Sequence, residues 1–138
     1  MFILTSAAET VAAGRERGLA ARAGDVLALS GDLGAGKTQF VKGVVAGAGS
    51  MAEVTSPTFT VIHEYGDGRL PIYHFDFYRI ESAEDALRIG LDDYLFGDGL
   101  CVIEWADRFP ALMPKNVVWL HFEIRSETER AIEERRPT

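Results

Sequence analysis

Eight consecutive residues, Gly31-Asp32-Leu33-Gly34-Ala35-Gly36-Lys37-Thr38, satisfy the pattern G-x-x-x-x-G-K-[ST] at every specified position. The chemistry such a segment supports is anion binding. Gly31, Gly34 and Gly36 permit positive φ and leave no side chain between the backbone amides and a phosphate oxygen. Lys37 adds a mobile charge for β and γ phosphates, and the Thr38 hydroxyl is placed to ligand Mg²⁺. Asp32, Leu33 and Ala35 complete the loop. A nucleoside triphosphate and its magnesium ion are the expected ligands. A glycine turn followed by a chance Lys-Thr would read the same in isolation, so the flanking elements decide.

Those elements fit. Asp25 to Ser30 is an apolar run of strand length, and Phe40, Val41, Val44, Val45 and Ala48 recur at helical spacing. A strand therefore runs into the loop and a helix leaves it, which converges amides and a helix N-terminus on one anion. Two acids stand where such a site would use them. Leu100-Cys101-Val102-Ile103-Glu104 is a buried-type strand ending in a carboxylate, the position from which an acid can hold Mg²⁺ or polarise a water. Ile72 to Tyr78 alternates, with Tyr73, Phe75 and Phe77 on one face and Ile72, His74, Asp76 and Tyr78 on the other. One face should be core and the other should hold the Asp76 carboxylate. Asp is poorly suited to strands, which makes Asp76 a candidate for chemistry. His74 and Asp76 together supply only two ligands, too few for a zinc site. The loop from Ser50 to Thr58 carries Thr55-Ser56-Pro57-Thr58, whose hydroxyls could ligand Mg²⁺ or sense a γ-phosphate; a plain turn accounts for them equally well.

The remaining chain supplies scaffold. Phe2-Ile3-Leu4 reads as a short strand, and Ser6 with Glu9 forms a capping box opening a helix from Ala7 to Ala23 that Gly24 ends. Phe59 to Tyr65 reads as a strand joined by Gly66-Asp67-Gly68 to the strand beginning at Ile72. Ser82 and Asp85 open a short helix that runs through Ile89, and a strand is expected from Asn116 to Arg125. The tail from Ser126 sets Glu127, Glu129, Glu133 and Glu134 against Arg130, Arg135 and Arg136, and should be mostly solvated, with at most a short strand around Ala131-Ile132. The 14 glycines are expected mostly at turns and around the phosphate loop. The fold class is α/β: a mixed sheet of the P-loop NTPase type with flanking helices, one domain over residues 1–138.

The single cysteine, Cys101, lies in an apolar run with no neighbouring base or cation, so a buried inert thiol is expected. No apolar run approaches the roughly 18 residues of a membrane span, and a cytoplasmic location is expected. Net charge is −7, from 14 basic and 21 acidic residues, which disfavours direct binding to a nucleic-acid backbone.

Four motifs follow one another in order: the Gly31–Thr38 loop, Ser56-Pro57-Thr58-Phe59, His74-Phe75-Asp76-Phe77-Tyr78-Arg79, and Val102-Ile103-Glu104-Trp105. As a set they resemble the bacterial TsaE (YjeE) family, the ATPase component of tRNA threonylcarbamoyladenosine biosynthesis, over nearly the whole chain. The resemblance implies a compact ATPase acting with two partners of the transfer machinery, of the TsaB and TsaD type, in the modification of adenosine 37, with tRNA met only through those partners. It further implies that Lys37 and Thr38 carry phosphate and Mg²⁺ and that Asp76 and Glu104 are the acids needed for hydrolysis. Either acid could meet the ion, and Glu104 is the one assigned to it. Thr55, Ser56 and Thr58 would form a switch-like loop, and Thr10 would lie near the adenine. Gln39 stands where the family often has a second threonine, and the C-terminal segment matches only loosely, through Arg130.

Two other classes use the same cradle. A small-molecule or nucleotide kinase usually needs an arginine-dense lid, which the chain lacks; a nucleotide-gated assembly module would need ATP binding without obligatory turnover. A GTPase is disfavoured, because no Asn-Lys-x-Asp segment occurs.

Overall fold

A computed structural model describes residues 2–32, 34–55 and 61–135. The apolar runs become strands β1 (Phe2–Leu4), β2 (Val26–Gly31), β3 (Ile62–Tyr65), β4 (Ile72–Asp76), β5 (Leu100–Glu104), β6 (Val118–Ile124) and β7 (Arg130–Arg135). The helices are α1 (Ala7–Ala20), α2 (Lys37–Gly47), α3 (Ala83–Arg88) and α4 (Leu91–Leu95). All seven strands join one sheet in the order β1-β7-β6-β2-β5-β4-β3. The central four, β6, β2, β5 and β4, are parallel, and β3, β7 and β1 join antiparallel to their neighbours. This is the mixed α/β sheet expected from the sequence.

Helices cover the parallel strands on both sides, which is why β2 and β5 read as continuous apolar runs. On one side, Phe40, Val41 and Val44 of α2 pack over Leu29, Val102 and Leu120. On the other, Leu91 and Leu95 of α4 join Phe75, Phe77 and Ile103. Strand β4 therefore departs from the one-faced strand expected: Ile72 and His74 are as fully buried as Phe75.

Several local expectations are corrected. Helix α1 stops at Ala20 rather than Ala23, because Arg69 donates to the carbonyls of Gly18, Leu19 and Ala21 and satisfies the last turn. Ser6 caps the Glu9 N–H as expected, but the Glu9 carboxylate reaches back to the Thr5 amide and hydroxyl. The tail is not mostly solvated. Its residues Arg130–Arg135 form β7, paired on both edges, with Ala131 and Ile132 buried.

Four glycines lie inside helices. Gly14 and Gly18 of α1 face Gly43 and Gly47 of α2, and the helices touch through backbone. A Cβ at Gly14 would sit 2.0 Å from the Phe40 carbonyl oxygen, and one at Gly43 would sit 1.9 Å from that of Val11. Gly18 and Gly47 meet Val44 and Arg15 in the same way, at 2.1 Å each. No side chain fits, so the helical cost of glycine, up to about 1 kcal/mol per residue, is offset by the close approach.

Two outcomes follow from this packing. Gly14→Ala or Gly43→Ala should destabilise the protein by about 1–3 kcal/mol in urea unfolding, since overpacking outweighs the helix-propensity gain. Cys101 is fully buried, donates to the Tyr94 carbonyl, and burial pushes its thiol up to about 12. Ellman's reagent at pH 8 should therefore find no thiol in the native protein and one per chain in guanidinium.

Candidate functional site

The phosphate loop closes between the end of β2 and the start of α2. Gly31, Gly34 and Gly36 adopt φ of 123°, 81° and 101°, the conformations the sequence demanded of them. At Gly31 a second constraint applies, because a Cβ there would lie 2.1 Å from the Phe122 carbonyl oxygen of β6. Gly36 is the N-cap of α2 and provides no side-chain cap, so the first-turn amides stay available to an outside acceptor. Ala35 is buried beneath the loop, Asp32 is exposed, and Leu33 lies outside the described residues.

Lys37 is only 5% exposed. Its ammonium donates to the Gly31 carbonyl at 2.7 Å and sits 3.8 Å from the centroid of the Trp105 ring. Desolvation lowers its pKa, and the carboxylates of Glu104, Asp107, Asp76 and Asp32 act in the opposite direction. Trp105 itself is in the left-handed region, at φ 59° and ψ 31°, where β5 breaks into a 3-10 turn. A large side chain in that conformation is a strained position, and here it aims the indole at the lysine.

Both predicted acids reach this spot by strand pairing. Leu29 of β2 pairs with Glu104 of β5, and Glu104 pairs with Asp76 of β4, so the two carboxylates stand side by side on the face that carries α2. Asp76 is 3% and Glu104 4% exposed. Asp76 Oδ1 accepts from the Tyr78 amide at 2.8 Å, and Glu104 Oε2 accepts from His74 Nε2 at 2.6 Å. The acids sit at the carboxyl ends of parallel strands, where open α/β sheets place their ligand sites.

Thr38, half-buried in the first turn of α2, is next to Lys37. Thr10 lies on the opposite wall: its side chain is 3.5 Å from where a Gly36 Cβ would be, and its hydroxyl donates to the Ser6 carbonyl. A cleft of about 360 Å³ runs along this wall, bordered by Ser6, Thr10, Gly34, Gly36, Gln39 and Arg130. Of the hydroxyl loop, Thr55 is exposed, and its carbonyl accepts from His63 Nδ1 at 3.2 Å. Ser56 and Thr58 lie outside the described residues.

The arrangement fits a polyphosphate. Uncapped amides and three glycines at positive φ stand at the head of α2 beside the buried Lys37, and nothing stands within 4 Å of a Cβ built on Gly34. It also suits a magnesium ion that keeps waters and phosphate oxygens in its shell. Among the described residues no three His, Cys, Asp or Glu side chains gather to hold a metal alone.

Three participants were not singled out from the sequence. Trp105 reads from the sequence only as packing, in the core or beside a nucleotide, His74 only as one of two metal ligands, and Asp107 carries no signal there. His74 had a legible signal: it lies two residues before Asp76 in a strand and must share its face.

Comparison with known proteins agrees with this geometry. A family model described as "Threonylcarbamoyl adenosine biosynthesis protein TsaE" matches residues 4–135. A tRNA threonylcarbamoyladenosine biosynthesis protein TsaE of Bacillus subtilis is 45% identical over 124 residues, covering 90% of this chain and 77% of that one. One from Treponema pallidum is 42% identical over 127 residues, covering 92% and 93%. The crystal structure of Bacillus subtilis YdiB superimposes with a TM-score of 0.82 at 39% identity, over 95% of this chain and 80% of that one. With its phosphate loop, its strand-borne acids and a match spanning nearly all of its length, this chain belongs to the TsaE family.

Proposed function

We propose that this chain binds ATP with Mg²⁺ and hydrolyses it in support of the threonylcarbamoylation of adenosine 37 in tRNA, together with partner proteins of the TsaB and TsaD type. The biosynthetic role rests on membership of the TsaE family. The reading of hydrolysis rests on one observation above the others: Lys37 is buried at the mouth of the loop, with Glu104 and Asp76 on the two adjoining strands.

The residues divide the work by position. The loop amides and Lys37 hold the phosphates; the ammonium's contacts with the Gly31 carbonyl and the Trp105 ring are ones that phosphate oxygens can replace. Desolvation makes that charge act more strongly than it would in water. Thr38 and Glu104 would hold the ion, which when bound supplies charge neutralisation to the phosphates. Asp76, fixed by the Tyr78 amide, orients the attacking water and accepts its proton on the carboxylate. Thr10 and the cleft beside Gly36 offer room for the nucleoside. The exposed Thr55, tied to β3 through His63, begins the segment that responds to the γ-phosphate.

A net charge of −7 supports contact with tRNA through partners rather than directly.

Lys37→Ala removes a charged hydrogen-bond donor and should weaken ATP binding by about 10–100-fold in calorimetry. Unchanged binding and turnover in that variant would remove the phosphate-loop reading. Glu104→Gln should still bind ATP but hydrolyse it about 10²–10⁴-fold more slowly with the partners present. Normal turnover per bound ATP would show that Glu104 has no part in hydrolysis.

A further inference from the structure

Beneath the two acids lies a polar contact that hydrolysis as described above does not use. His74 is fully buried in β4, on the same strand face as Asp76. Its Nε2 is 2.6 Å from Glu104 Oε2, across the β4–β5 pairing and one step deeper than the Asp76–Glu104 pair. With the ring donating and the carboxylate accepting, this contact corresponds to the tautomer that carries its proton on Nε2. Nδ1 has no hydrogen-bond partner among the described residues. Around the ring stand His63 and Tyr65, with centroids at 6.5 Å and 6.3 Å.

This is an unusual use of a buried imidazole. Burying an unpartnered ring nitrogen and a carboxylate costs free energy, and the Nε2–Oε2 hydrogen bond offsets only part of it. Among the described residues, only His74 bonds the Glu104 carboxylate. The bond ties Oε2 to β4, and so leaves Oε1 as the oxygen free of it. Without it, Glu104 could rotate to present either oxygen or neither.

We infer that His74 is a positioning residue: its Nε2–H holds the Glu104 carboxylate in the one orientation that serves the phosphate loop. The inference rests on the ATPase reading above. It follows what is general at metal sites, where a hydrogen bond behind the ligand orients it and its loss reduces activity by about 10–100-fold.

The test compares two amides that differ by one methylene. His74→Gln can present an N–H near the Nε2 position, whereas His74→Asn is too short to reach Glu104. With partner proteins, Mg²⁺ and ATP, His74→Asn should lose about 10–100-fold in kcat with KM for ATP within about threefold of the unsubstituted protein, and His74→Gln should recover most of that loss. Equal impairment of both variants, or none in either, overturns the inference. A second readout needs no nucleotide. In long-range ¹H–¹⁵N spectra of the free protein, His74 should carry its proton on Nε2, with a slowly exchanging signal that Glu104→Ala abolishes. A proton on Nδ1, or a signal indifferent to Glu104→Ala, overturns it independently of any turnover. Turnover absent from the unsubstituted protein with its partners, alongside the expected His74 spectrum, removes the ATPase reading and with it the positioning role.

Discussion

Between β2 and β5 the backbone pairs Leu29 with Glu104, and between β5 and β4 it pairs Glu104 with Asp76. Everything in the candidate site depends on that parallel register. Side chains alternate across a strand, so a slip of one residue in β5 would send Glu104 to the opposite face, among Phe75 and Phe77. The apolar runs on either side of each acid prevent this. Val102 and Leu100 are buried under α2, while Ile103 and Cys101 are buried on the face that carries α4. Packing of ordinary aliphatic residues therefore decides where two carboxylates end up.

The second constraint is electrostatic. Four carboxylates act on one ammonium, and all of them favour its charged form against the cost of its burial. An acid cluster without that lysine would repel any anion brought to the loop. Lys37 meanwhile has a carbonyl and an aromatic face to lean on, so its charge is supported by a dipole and a quadrupole. The whole-chain excess of acid runs the same way, and the loop is a local exception to it.

Much of this could be read from residue order. A strand, a glycine-rich turn and an amphipathic helix are local events with local signals, and the two acids were visible because strands seldom carry acids at such positions. What escaped was non-local. Strand β7 has only Ala131 and Ile132 as fully buried residues, and its charges dominated its composition; it becomes a strand because β6 and β1 each offer it an edge. The contact between the glycines of α1 and α2 escaped as well, because a glycine in a helix looks like a defect until the partner helix is known. The contact of Lys37 with Trp105 joins residues far apart in sequence, and nothing near either one announces it.

The helix crossing has a consequence for motion. Where side chains interdigitate, one helix can slide past another by re-packing rotamers. Where carbonyl oxygens lie against Cα atoms, no rotamers exist to re-pack, and translation is blocked in both directions. The contact runs from Val11 to Leu19 on one helix and from Phe40 to Ala48 on the other, so rotation about a single point is opposed as well. Helix α2 begins at the phosphate loop and α1 begins at Ser6 on the cleft wall, both on the same side of the crossing near Gly14 and Gly43. The two helices are thus coupled along their backbones, and the loop at the head of α2 keeps its spacing from the cleft wall at the head of α1.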